Sequence, residues 1–218
     1  MYINIHTHQK SNNPEVIEVI NTDRNSAVHF ELPQYYSLGV HPWDITPSYT
    51  ETIKTIKDIN KTPSFIAIGE CGLDKRKGPE LSIQQDVFKK QIQLSEELQK
   101  PLIIHCVKSY SEIIKLRKDI QPTQAWVFHG FNASKETMEQ ALKQDFYFSL
   151  GDALFHPQTK ALQSLPFIPL NRLFLETDDN PQLSIISVFK KASATLNLET
   201  PQLQVFIQDN FKRLFNVD

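Results

Sequence analysis

Eight short apolar runs, most of them followed by a stretch with helical spacing, constrain this chain more than any other feature. They are Tyr2 to Ile5, Val16 to Asn21, Tyr36 to Val40, Phe65 to Ile68, Leu102 to Ile104, Ala125 to Phe128, Phe146 to Leu150 and Leu173 to Leu175. Such runs, rich in β-branched and aromatic residues, read as buried strands, and their alternation with helices is the form of βα units feeding a parallel sheet. Eight strands close a TIM-type (β/α)8 barrel. The expectation is an α/β chain forming one barrel domain over residues 1–218, a length that can bury one sizeable core.

The helices between the runs carry start signals. Ser48 with Glu51 and Ser82 with Gln85 have the form of capping boxes, and Pro101 closes the second of these helices. Further helices are expected over Ser109 to Lys118, Ser134 to Lys143 and Ser184 to Leu196, and from Pro201 to about Phe215. The first third departs from this rhythm. Gln9 to Pro14 leaves no room for a crossover helix, and Thr22 to Gln34, interrupted by Pro33, holds a turn or two at most. A parallel crossover ordinarily takes about a dozen residues, so the barrel is expected to be trimmed on this side, with its early helices reduced to loops.

Composition narrows the function. The formal charge of −2 gives no whole-molecule attraction for nucleic acid or an anionic membrane surface, so any hold on phosphate must be local. Only six glycines are present, and none of the glycine-rich dinucleotide or nucleotide patterns occurs. Two cysteines, Cys71 and Cys106, no basic segment leading an apolar one, and no run of membrane-spanning length point to a reducing compartment. A cytoplasmic protein off the membrane is expected.

A barrel delivers the C-terminal ends of all its strands to one face. In His6-Thr7-His8 the strand alternation puts both imidazoles on one side, and Glu70, His105, His129 and Asp178 stand just beyond the fourth, fifth, sixth and eighth runs. Four imidazoles and two carboxylates exceed what one tetrahedral ion needs, so two divalent cations sharing a carboxylate is the natural arrangement. Imidazole favours Zn, while a carboxylate-bridged pair also suits Mn or Mg. His29, without a strand end, and His156, in a loop before Pro157, read as structural.

These residues resemble those of the TatD family of metal-dependent hydrolases, and the chain looks like a short member. The resemblance runs nearly end to end: His6-Thr7-His8, Gly39-Val40-His41-Pro42, Ala67-Ile68-Gly69-Glu70-Cys71-Gly72-Leu73-Asp74, and the helix carrying Gln85, Phe88, Gln91, Leu94 and Leu98. It continues through Ile103-Ile104-His105-Cys106, Phe128-His129-Gly130-Phe131, Leu173-Phe174-Leu175-Glu176-Thr177-Asp178, and Asn210 with Arg213-Leu214-Phe215. The resemblance implies a TIM-barrel hydrolase with a metal pair, in several members a deoxyribonuclease, so the implied partner is DNA or another phosphoester. Carried over by residue, His6, His8 and Asp178 hold one ion, His105 and His129 the other, and Glu70 bridges. Asp178 also accepts the proton of the attacking water. His41 is similar to the family's substrate-side histidine, the alternative being a loop histidine stiffened by Pro42.

Three departures stand out. Asn4 replaces an Asp usual two residues before the first metal histidine, and Val107 occupies the place of an Arg, with Lys108 next. Asp179-Asn180-Pro181-Gln182-Leu183 replaces a longer Arg-Gly-Lys and Asn-Glu-Pro edge. Lys75, Arg76 and Lys77 beyond the fourth run, with Lys108 beyond the fifth, offer the local positive charge a phosphate needs; the alternative is a solvated charge run. Phosphodiester hydrolysis is the leading expectation. A metal-dependent ester, lactone or amide hydrolase is the second, and a metal-stabilised scaffold without turnover the third; six ligands where a structural site needs four count against the scaffold.

Overall fold

The computed structural model describes residues 1–23 and 34–217. Its strands are β1 (Tyr2–Thr7), β2 (Val16–Thr22), β3 (Tyr35–Leu38), β4 (Phe65–Asp74), β5 (Leu102–Val107), β6 (Trp126–Phe128), β7 (Tyr147–Leu150) and β8 (Leu173–Leu175). They form one eight-stranded parallel sheet in sequence order. At the seam between its ends, Asp178 N–H donates to the His6 carbonyl (3.1 Å) and His8 N–H to the Asp178 carbonyl (3.2 Å). The expected TIM-type barrel is therefore present, closed by backbone bonds at its C-terminal rim.

Helices cover the later strands: α1 (Tyr49–Ile59), α2 (Leu81–Leu98), α3 (Tyr110–Ile120), α4 (Lys135–Leu142), α5 (Lys160–Ser164), α6 (Ile185–Leu196) and α7 (Thr200–Phe215). Between β1 and β2 there is only the strap Gln9–Glu15, tied down where Ser11 N–H donates to the Glu18 carboxylate (3.0 Å). The barrel is trimmed there, as its sequence requires. The turn expected between β2 and β3, and His29 with it, fall on residues outside those described. No helix among the described residues is long and apolar enough to cross a membrane.

Two local expectations fail. Ser48 makes no capping bond and shares a hydrogen bond with Thr46 Oγ1 instead (2.9 Å), and Ser82 lies inside α2, which starts at Leu81. The sequence form of a capping box does not fix the backbone angles that make one. The strands also outrun the apolar stretches: β1 continues through His6, β4 through Glu70 to Asp74, and β5 through His105. Backbone pairing is indifferent to side-chain polarity, and Gly72↔His105 and Asp74↔Val107 pair like their apolar neighbours. Gly72 is needed for that approach, because at φ 139° a Cβ would lie 2.1 Å from the His105 carbonyl oxygen.

The core fills the barrel and the space beneath its helices. Phe128 stacks on Phe146 (4.4 Å between centroids), with Trp126 edge-on to Phe146, and Phe131 and Phe148, edge-on to each other, beside Phe128. α2 buries Val87, Phe88, Ile92 and Leu94, and on the same side two amides, Gln84 and Gln91. Both are spent on backbone. Gln91 exchanges two hydrogen bonds with Val40 (2.7 and 3.0 Å), and Gln84 two with Asp74 (2.8 and 2.9 Å). In this way α2 fixes the segments that carry His41 and the end of β4. Asn210 does the same from α7, donating to the Leu170 and Leu173 carbonyls at the entry to β8.

Candidate metal centre

Glu70 is the hub, buried at mid-β4 with its backbone N–H donated to Asn21 Oδ1 (2.8 Å). Its two oxygens face different partners. Oε2 faces His6 Nε2 (3.4 Å) and His8 Nε2 (3.7 Å), while Oε1 faces His105 Nδ1 (2.8 Å), His129 Nε2 (2.7 Å) and His41 Nε2 (3.4 Å). Asp178 Oδ1 completes the first group, 3.3 Å from His6 and 3.5 Å from His8. Asp178 has φ 52° and is held there by its two seam bonds and by Thr7 Oγ1, which donates to its carbonyl (3.3 Å).

The donor set fits a divalent cation. Ligand bonds of about 2.1 Å arranged tetrahedrally put ligand atoms about 3.4 Å apart, the spacing seen in the first group. His6 is fully buried, yet neither ring nitrogen has a hydrogen-bond partner. An imidazole so placed lacks a proton acceptor with proper geometry and presents Nε2 to two carboxylates. The second group is tighter, at hydrogen-bond distances that a cation would have to open.

Behind both imidazoles of the second group stand buried carboxylates. His105 Nε2 faces the buried Asp74 Oδ2 (3.2 Å), which would keep the proton of a cation-bound ring on Nε2 and leave Nδ1 to the cation; in the metal-free protein Nδ1 lies at hydrogen-bond distance from Glu70 Oε1 (2.8 Å). His129 Nδ1 faces Glu176 Oε1 (3.4 Å), itself fixed by Gly130 N–H (2.6 Å). Asp74 in turn accepts from Trp43 Nε1 (2.7 Å) and the backbone of Arg76 (2.7 Å). His41 differs. Its Nδ1 accepts from Trp43 N–H (3.1 Å), so in the neutral ring Nε2 bears the proton and has no lone pair for a cation. This tautomer, assigned from the hydrogen-bond network, makes His41 a donor into the cavity although its distance would suit a ligand.

Electrostatics tie the groups together. The carboxylates of Asp178 and then Glu70 beside it raise the pKa of His8 to about 9. Burial pushes Asp178 up, but its contacts with His6 and His8 outweigh this and hold it well below the carboxylate range. Burial likewise opposes, and the positive field of His129 with the bonds from His105 and His129 reverses, so that Glu70 stays ionised. Without a cation the cluster keeps protons in its place, and cation binding must release them.

The sequence-predicted ligands His6, His8, Glu70, His105, His129 and Asp178 thus meet at one mouth, beside a cavity of about 520 Å³. Arg76 and Lys108 do not line it; both are exposed at the rim. Of their neighbours, Lys75 pairs with Glu112, and Lys77 Nζ lies 3.5 Å from the centroid of the Trp43 ring. His156 is exposed and paired with Asp152 (2.8 Å). Asn4, in the place of the expected Asp, bridges the seam: Nδ2 donates to Thr177 Oγ1 (2.9 Å) and Oδ1 accepts Thr177 N–H (3.1 Å). Sequence reasoning assigned no role to Asn21, Asp74, Gln84 or Glu176. Asp74 and Glu176 were visible only as acids inside otherwise apolar motifs.

A parallel barrel with histidines and carboxylates gathered at its C-terminal mouth defines a class, the TIM-barrel protein with a candidate divalent metal centre. Residues 3–216 match the family model described as TatD related DNase. The chain belongs to the TatD family of metal-dependent hydrolases. It is 27% identical over 198 residues to the uncharacterized metal-dependent hydrolase YcfH of Escherichia coli strain K12, covering 84% of this chain and 74% of that one. It is 29% identical over 144 residues to the 3′-5′ ssDNA/RNA exonuclease TatD of Citrobacter koseri, covering 64% of this chain and 55% of the relative. Among solved structures, YJJV, a TatD homolog from Escherichia coli K12, superposes with a TM-score of 0.84 at 21% identity, covering 100% of this chain and 98% of that chain.

Proposed function

We propose that this chain hydrolyses phosphodiester bonds, with DNA as the first substrate class, at two divalent cations in the barrel mouth. His6, His8 and Asp178 would hold one, His105 and His129 the other, and Glu70 would serve both. The observation that carries this reading is the division of Glu70, one oxygen toward each group. Bound there, divalent ions supply polarisation of a phosphoryl oxygen and a lowered pKa for an attacking water, and Zn, Mn and Mg all suit the donors.

The rest falls to the chain. Asp178, with its side chain 39% exposed and its pKa held low, is ionised at neutral pH and takes the proton of the attacking water. His41, beside His105 (4.5 Å between ring centroids), donates its Nε2–H to a phosphoryl or leaving oxygen. Glu176 and Asp74 stand behind the outer nitrogens of His129 and His105, so that with a cation bound the inward nitrogens would give up their protons and turn to it. Arg76 and Lys108, at the rim, reach only the outer phosphates of a longer strand. Residues 1–218 act as one domain, working in the cytoplasm, where two free thiols are at home.

A second reading, hydrolysis of an ester, lactone or amide, is favoured by one observation: among the described residues no Lys or Arg lines the cavity, and Val107 does. One panel separates them. Single-stranded DNA and p-nitrophenyl phosphodiesters should be cleaved with added Mg, Mn or Zn while p-nitrophenyl carboxylic esters are spared; the reverse preference would establish the second reading.

A further inference from the structure

The cavity has walls of two chemistries. One is the imidazole and carboxylate cluster; the other is apolar, made by Trp43, Cys106 and Val107. Among the described residues the remaining charged ones lining it, Asp44 and Asp179, are acidic, so none of these offers a cation to phosphates beyond the reacting one. A substrate filling this space must set something uncharged against the apolar wall.

Trp43 has the properties of a built surface rather than a loose one. It is 45% exposed, yet its indole N–H is tied to buried Asp74 (2.7 Å) and its backbone N–H to His41 (3.1 Å). The ring meets His41 (4.7 Å between centroids, 88°) and His105 (5.7 Å, 75°) at near right angles, beside the candidate metal ligands. The Lys77 ammonium over it polarises the ring and adds a cation beside the mouth. A large aromatic left exposed and immobilised at a cavity loses the gain of burial unless a ligand supplies it.

We infer that Trp43, continued by Cys106 and Val107, is a specificity-determining platform that takes a planar ring on the substrate group next to the reacting atom. If the phosphodiester reading holds, on which the identity of the ring rests, that ring is an unpaired nucleobase. A base within a duplex has both faces already stacked and cannot use the platform.

The second tryptophan, Trp126, is fully buried, so a soluble neutral quencher reaches Trp43 alone in the intact, Mg-loaded protein. Thymidine 5′-monophosphate should shield Trp43 from quenching, whereas deoxyribose 5-phosphate, with the same phosphate and no ring, should leave it open. In calorimetry, Trp43→Gln should weaken thymidine monophosphate binding roughly tenfold or more, Trp43→Phe by about threefold at most, and neither should change deoxyribose phosphate binding. A positioning role through Asp74 and His105 gives the opposite order, with Gln keeping a donor and Phe losing it for both ligands, and overturns the inference. Equal shielding by both ligands, or by neither, overturns it in the wild-type protein without any variant. Phosphodiester cleavage is assayed alongside: ring-dependent shielding without cleavage would remove the proposed reaction and leave the platform in place.

Discussion

The two halves of the candidate metal centre are built differently. The half made by His6, His8 and Asp178 comes from the seam of the barrel, on the side where the β1 to β2 crossover is a bare strap, and its donors already stand at coordination spacing. The half made by His105 and His129 comes from helix-covered strands; each imidazole is backed by a buried carboxylate, and each closes on Glu70 at 2.7 to 2.8 Å. The seam half is positioned by backbone bonds, the covered half by side chains behind it. On the proposed two-cation reading, one position would be preset by backbone and the other, backed by Asp74 and Glu176, would have to open to be filled.

The largest effect should come from the residue that joins both duties of the seam half. Asp178→Ala, folded by circular dichroism, should lose metal-dependent turnover to background; activity near wild type would remove Asp178 as proton acceptor. Next, Glu176→Gln and Asp74→Asn should each weaken the covered half alone, by about tenfold to a hundredfold in metal affinity. A titration in which both metal equivalents weaken together would erase the distinction between the halves. Asn4→Ala should act in the other way, costing about 1–3 kcal/mol of stability through the unpaired Thr177 N–H while leaving the covered half's affinity intact.

The pH dependence sharpens the same contrast. Metal-free, His8 has its pKa raised to about 9, so the stability it adds is fully present below its unfolded value near 6.5 and is lost as pH rises through 9. The melting temperature of the chelated protein should fall from pH 6 to pH 9, and metal affinity should rise over that range as protons cease to compete. A metal-free protein that gains stability toward pH 9 would contradict the pairing of His8 with the two carboxylates. The smallest effect belongs to Arg76→Ala and Lys108→Ala, each raising KM for DNA by about threefold at most, and less at high salt, because both are exposed.

The barrel was legible because it depends on patterns that repeat: eight apolar runs, helical spacing between them, and a first third too short for helices. That His6, His8, Glu70, His105, His129 and Asp178 come together was legible for the same reason, since strand ends in such a barrel share a face. What surrounds them was not. Asn21 reaches Glu70, and Asp74 reaches Trp43, across dozens of residues, and such pairs depend on register and on the β4 to β5 irregularity, which the sequence does not display. Ser48 and Ser82 failed as caps because a local motif yields to the backbone path imposed by the neighbouring turn. Asn4 read as a lost carboxylate; in the folded chain its side chain is committed to Thr177 across the barrel seam.

Glu70 is where the two halves meet, and metal counting on that residue tests the arrangement most directly. Titration of chelated wild-type protein with Zn, followed by calorimetry and a phosphodiester assay on the same samples, should give two equivalents per chain, with activity rising only as the second is filled. Glu70→Ala should retain at most one weakly held equivalent and no activity. A single equivalent in the wild type, or two still bound after Glu70 is removed, would mean that the halves do not share a carboxylate.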